Sequence, residues 1–118
     1  MSAAARRLED GTAVDAILTA LADPHRRRVV DLLSRGPMPA GELARAVGLA
    51  PAAMSRHLRT LRQSGLVEES HPTFDARVRI YALRAEQMSE LKRWLEEIER
   101  MWAEQLIAFK AHLEKGAA

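Results

Sequence analysis

The chain contains no cysteine. A disulfide framework, a thiolate metal site and a thiol redox switch are therefore all excluded. Aromatic residues are scarce too, and three of the five (Trp94, Trp102 and Phe109) fall in the last quarter, with Tyr81 and Phe74 upstream. No apolar run approaches the ~18–20 residues needed to span a bilayer. The segment from Met1 to Gly11 carries Arg6, Arg7, Glu9 and Asp10 but no apolar signal-peptide stretch. A cytoplasmic location with no membrane partner is expected. A Gly-rich phosphate loop is missing, no paired carboxylates form a cleft motif, and the four histidines are scattered over different elements. Neither enzymatic activity nor a cofactor is expected.

What is present is one modest domain. A length of 118 residues, 47% apolar and 29% charged, suits a single soluble core. Net charge is only +2 but is unevenly placed. Pro24 to Arg84 holds eleven arginines against five acids, whereas Ala85 onward holds five bases against seven acids. A basic middle followed by a mildly acidic end suits a body that faces nucleic acid with a separate function behind it.

After a tail over residues 1–11, expected to be mobile, Ala13, Val14, Ile17, Leu18 and Leu21 follow helical spacing. Asp23-Pro24 then supplies an N-cap and a proline for the first position of a second helix, which runs through Val29 to Leu33 and stops at Gly36-Pro37. A short third helix centred on Glu42 to Val47 stops at Gly48. A fourth begins with Pro51 and ends at Ser64-Gly65. Two β-type runs, Leu66 to Ser70 and Arg77 to Leu83, read as a hairpin around His71 to Ala76. Ala85 to Lys115 reads as one long helix closed by Gly116. The order is α-α-α-α-β-β-α, mainly helical with a small hairpin. The third and fourth helices form a helix-turn-helix, and the hairpin makes it a winged one. Three segments follow: the tail over 1–11, a winged helix-turn-helix over 12–84 and a dimerisation helix over 85–118.

At 100° per residue, Met54, Leu58 and Leu61 share one stripe of the fourth helix. Opposite them lie Ala52, Ser55, Arg56, Arg59, Arg62 and Gln63, with no acid. An ordinary solvated face mixes both signs, and a phosphate-lined groove accounts for the omission. Arg56 and Arg59 suit guanine edges or phosphates, and Ser55 suits either. Arg62 suits the DNA backbone or simply the helix C-terminus. Pro51 and Ala53, in the apolar first turn, can offer only contacts such as with a thymine methyl. His57 falls outside the basic arc and reads as a packed or capping histidine rather than a phosphate contact.

Arg26, Arg27 and Arg28 occupy the first turn of a helix, where each exposed cation costs on the order of 0.3–1 kcal/mol against the dipole. Asp23, Asp31 or Glu42 could offset that cost, and so could a DNA phosphate. In the hairpin, Arg77 and Arg79 could reach an adjacent minor groove or its phosphates, although Asp75 places a negative charge nearby.

Four stretches carry a resemblance that covers nearly the whole chain: Ala20 to Arg27 (ALADPHRR), Gly41 to Ala44 (GELA), Ser55 to Val67 (SRHLRTLRQSGLV) and Tyr81 to Leu83. In this order they resemble the ArsR/SmtB family of bacterial winged-helix repressors. The resemblance implies a symmetric homodimer, built from the first and last helices, that binds an inverted repeat in double-stranded DNA and commonly represses its own operon. The chain departs from the metal-sensing members. It has no cysteine on the third helix, and the last helix offers only His112 and Glu114 at the wrong spacing, so no metal is expected. It also departs in Ala50, a poor cap for the reading helix, and in Asp75-Ala76 where a wing-tip glycine is usual.

On the last helix Leu91, Leu95, Ile98, Trp102, Leu106, Phe109 and Leu113 recur every three or four residues. About 30 residues at ~1.5 Å rise give a helix near 45 Å, longer than so small a body can cover. The surplus apolar face should pair with a second copy, together with Val14, Ile17 and Leu18 of the first helix. A rival reading keeps the fold and points the arginines at an acidic protein instead of DNA. Roles for His25, His71 and His112 are not legible.

Overall fold

Asp23-Pro24 breaks the first apolar stretch into two helices, and the break determines how the rest packs. The computed structural model describes residues 12–116, so the expected tail over residues 1–11 lies outside the described part. Helix α1 spans Thr12–Leu21 and α2 spans Pro24–Leu33. Asp23 sits in extended backbone, and its Oδ1 accepts from the backbone N–H of His25 at 2.8 Å and of Arg26 at 3.2 Å. Two otherwise orphaned helical donors are thereby satisfied. A two-residue strand, β1 (Met38–Pro39), precedes α3 (Ala40–Val47). Gly48, at φ 78°, turns the chain left-handed after α3, a conformation that only glycine adopts without strain. Helix α4 (Pro51–Gln63) follows, then β2 (Val67–Ser70), β3 (Ile80–Leu83) and α5 (Ala85–Gly116).

The sheet corrects the expectation of a bare hairpin. It has three antiparallel strands in the order β1-β3-β2, with Met38 opposite Tyr81 and Val67 opposite Leu83. A strand two residues long shows no periodicity, and Pro39 lacks an N–H, which confines β1 to an edge. The element order is therefore α-α-β-α-α-β-β-α. The returning strand is also shorter than expected: it begins at Ile80, leaving Arg77 and Arg79 in the connecting loop.

Ile17, Val29, Leu33, Leu43, Met54, Leu58, Leu61, Leu66, Tyr81 and Leu91 close one core between the helices and the sheet. Burying a large aliphatic side chain contributes roughly 1.5–3 kcal/mol, so this core holds α3 and α4 in a fixed relation. Val14 and Ile17, expected at a dimer interface, are instead 5% and 0% exposed within the protomer. Helix α1 points its main apolar face inward, and of those three residues only Leu18 stays accessible. Met88, Leu91 and Trp94 seat the start of α5 on the core, while every residue from Glu99 to Gly116 is exposed. The molecule is drawn out to 72 × 38 × 21 Å as a result. Among the described residues no helix is long and apolar enough to cross a membrane.

Candidate nucleic-acid interface

Met54, Leu58 and Leu61 anchor α4 at 1%, 1% and 0% exposure, and this forces the opposite arc outward. Pro51, Ala52, Arg56, Arg59, Arg62 and Gln63 are exposed, with Ala53 and Ser55 half-buried at the edges. Ala50 caps the helix with no side-chain hydrogen bond, so the first-turn N–H groups remain open to an outside acceptor.

The arginines of the basic region separate by what they touch. Arg62 is ion-paired with Glu69 of β2. Glu69 also accepts from the Tyr81 hydroxyl at 3.1 Å and lies 3.4 Å from His71 Nε2, which ties the end of α4 to the sheet. Burial, and then the neighbouring Glu69 carboxylate, push the Tyr81 hydroxyl above its ordinary pKa. Arg77 is held by Asp75, to whose Oδ1 it donates from its backbone N–H at 3.0 Å and from Nε at 3.2 Å. The first of these bonds, then the second, keeps the half-buried Asp75 carboxyl below the usual range. Arg79 reaches from the wing to α4, its Nη2 donating to Ser55 Oγ at 3.3 Å. An open cleft of about 380 Å³ lies between them, lined by Pro39, Ala44, Pro51, Ser55, Arg77 and Arg79 among others.

Arg26 and Arg27 answer the dipole question in a way the sequence did not suggest. Arg26 donates from Nε to the Ala20 carbonyl at 2.6 Å and from Nη2 to that of Thr19 at 3.2 Å. Arg27 Nη1 donates to the carbonyls of Leu21 at 2.8 Å and Ala22 at 3.2 Å. The negative end of α1 thus compensates the positive end of α2 through two guanidinium groups. Arg26 Nη1 also lies 3.3 Å from Nδ1 of the half-buried His57, which joins α2 to α4. Burial raises the Asp23 pKa, but the backbone N–H groups of Arg26 and His25 outweigh that and hold it below the ordinary value.

Of the eleven arginines, the side chains of Arg28, Arg35, Arg45, Arg56 and Arg59 have no hydrogen bond or ion pair among the described residues. Only Arg56 and Arg59 belong to α4. Phe74, in the loop between β2 and β3, is 87% exposed, and no hydropathy pattern singles it out. Glu69 as a shared acceptor was likewise invisible in one dimension, because its partners come from three separate segments.

A family model for the helix-turn-helix domain matches residues 21–70. The chain is 44% identical over 54 residues to the HTH-type transcriptional regulator NmtR of Mycobacterium tuberculosis, covering 46% of this chain and 45% of that one. It is 34% identical over 53 residues to the transcriptional repressor SdpR of Bacillus subtilis, covering 45% and 59%. The chain thus spans about half the length of these curated relatives. The solved structure of the ArsR family transcriptional regulator RHA00566 superposes with a TM-score of 0.68 at 34% identity, covering 77% of this chain and 91% of that one.

Proposed function

Because the chain belongs to the ArsR family of winged helix-turn-helix transcriptional regulators, we propose that it is a cytoplasmic homodimeric repressor that lays α4 in the major groove of an inverted-repeat operator. The single observation that carries the DNA reading is the pair Arg56 and Arg59, exposed on α4 with no partner among the described residues. A phosphate or guanine edge supplies the missing acceptors. Ser55, already bonded to Arg79, places a wing cation beside the same groove wall. Pro51 and Ala53 meet DNA only through apolar surface, so this is a sparing reader of base edges. Arg26 and Arg62 act one step back, tying α4 to α2 and to the sheet, while Arg27 clamps the end of α1 onto the start of α2. Arg77, closed onto Asp75, contributes less than Arg79.

For the dimer, Leu95, Ile98, Trp102, Leu106, Phe109 and Leu113 form the face that α5 offers to a second copy, with Leu18 beside it. Trp102, Leu106 and Phe109 are each 60% or more exposed, an apolar stripe that water covers poorly. Two copies present two α4 helices to half-sites about one helical turn apart. Repression is also the role that the name of SdpR carries. A footprint on the DNA upstream of the chain's own gene tests the reading. A protected inverted repeat is expected. No retardation at low salt, with an acidic protein co-purifying in its place, overturns it.

A further inference from the structure

Asp23, His25 and His57 are brought together by the packing of α2 against α4. One carboxylate oxygen and one ring nitrogen from each histidine lie within 4.8 Å of one another. The two rings stand 5.6 Å apart at 34°, and His25 Nδ1 is 3.6 Å from Asp23 Oδ1. His25 is exposed, so an ion can enter from solvent, while Asp23 and His57 are half-buried and fixed by their helices. We propose that these three side chains bind a divalent late first-row transition ion, such as Zn(II), one per protomer, and that the ion regulates α4.

Two imidazoles and one carboxylate are a borderline donor set that favours Zn(II), Co(II) or Ni(II) over Mg(II) and Ca(II), which demand more oxygen ligands. Three protein ligands leave room for water to complete the shell. Small side-chain rotations must close the remaining gap to bonding distance. The helix dipole and Arg26 oppose a cation here, and the Asp23 carboxylate, already ionised as the N-cap, offsets them. Arg26 is the route to regulation. Its Nη1 lies 3.3 Å from His57 Nδ1, so a bound ion contends with the guanidinium for one imidazole. Displacing it loosens the tie between the α1 carbonyls and the reading helix.

The test uses tag-free protein. Zn(II) competition against a chromogenic chelator should give one site per protomer with a dissociation constant in the micromolar range or tighter. Co(II) should develop the visible absorption of low-coordinate nitrogen and oxygen ligation. His25→Ala, an exposed position, should weaken binding at least about tenfold, in line with the cost of disturbing a metal shell. Asp23→Asn keeps an N-cap and should weaken it similarly. His112→Ala and His71→Ala should not. Binding no tighter than millimolar, or a His25→Ala variant that binds as the wild type does, overturns the site. The regulatory half rests on α4 reading DNA, whereas the chelator titration needs no DNA, so the two failures are separable. Zn(II) should weaken operator binding at least about threefold in the wild type and leave His25→Ala unchanged; equal affinity with and without Zn(II) overturns the regulatory role.

Discussion

Removing both unpartnered arginines of α4, in Arg56→Ala/Arg59→Ala, should change the salt dependence of operator binding by a calculable amount. Each phosphate neutralised on duplex DNA contributes about 0.9 to the slope of log K against log salt concentration. A dimer carries each residue twice, so the double variant loses up to four such contacts and its slope should be shallower by about 3.6. Arg62 provides the internal control. It is equally cationic and sits on the same helix, but it is ion-paired with Glu69. Arg62→Ala should cost about 0.5 kcal/mol of stability as a surface pair and move the slope by less than about 1 per dimer. The assay is fluorescence anisotropy of a labelled operator duplex titrated across a potassium chloride series. A slope for the double variant within about 0.5 of the wild type refutes the phosphate reasoning. Lost affinity at an unchanged slope, with relaxed base preference, would place both arginines on base edges.

Three further outcomes follow from the geometry. Arg26→Ala removes charge-assisted bonds to two α1 carbonyls and to His57. It should cost about 2–3 kcal/mol and lower the melting temperature by roughly 10 °C or more, with the salt slope retained; a variant that melts normally refutes the link. Trp102→Ala leaves the protomer folded, since the ring is 62% exposed there. Truncating an interface anchor costs about 2 kcal/mol or more and counts twice across a two-fold axis, so sedimentation equilibrium should find the dimer weakened by roughly a thousandfold. Tyr81 has its pKa raised above the ordinary 10.0. A raised folded-state value means that the stability it lends is intact below the unfolded value and is lost as pH rises through the folded one. Tyr81→Phe should be about 1 kcal/mol less stable at neutral pH and lack the alkaline decline; denaturant midpoints from neutral pH upward check both.

Local chemistry made the helices legible. Asp23-Pro24, Gly48 and Pro51 mark boundaries by capping and by φ alone, and α2, α3 and α4 begin or end where those residues place them. The apolar stripe of α4 was equally plain, because three residues at helical spacing meet one core. Strand β1 was not legible, since two residues have no period and their pairing with Ile80 and Tyr81 is a tertiary event. Helix α1 shows the limit of hydrophobic spacing, which finds an apolar face but does not say whether the chain's own core or a second copy covers it. Val14 and Ile17 went to the core for that reason. Arg26 shows the same limit for charge. Its partners are main-chain carbonyls on a preceding helix, reachable only through the angle at which α1 and α2 meet. The gathering of Asp23 and His25 with His57 is tertiary too, since it depends on how α2 packs against α4.

The bare distal half of α5 has a consequence for dose. Under the proposed pairing, that stripe is covered only when two copies meet, so a lone protomer brings one reading helix to a two-part operator. Occupancy then rises roughly with the square of protomer abundance while dimers are scarce. A chain with no thiol would then respond steeply to the number of its own copies in the cell. Repression of its own gene would feed that number back on itself, and the exposed apolar length of α5 sets where the balance falls.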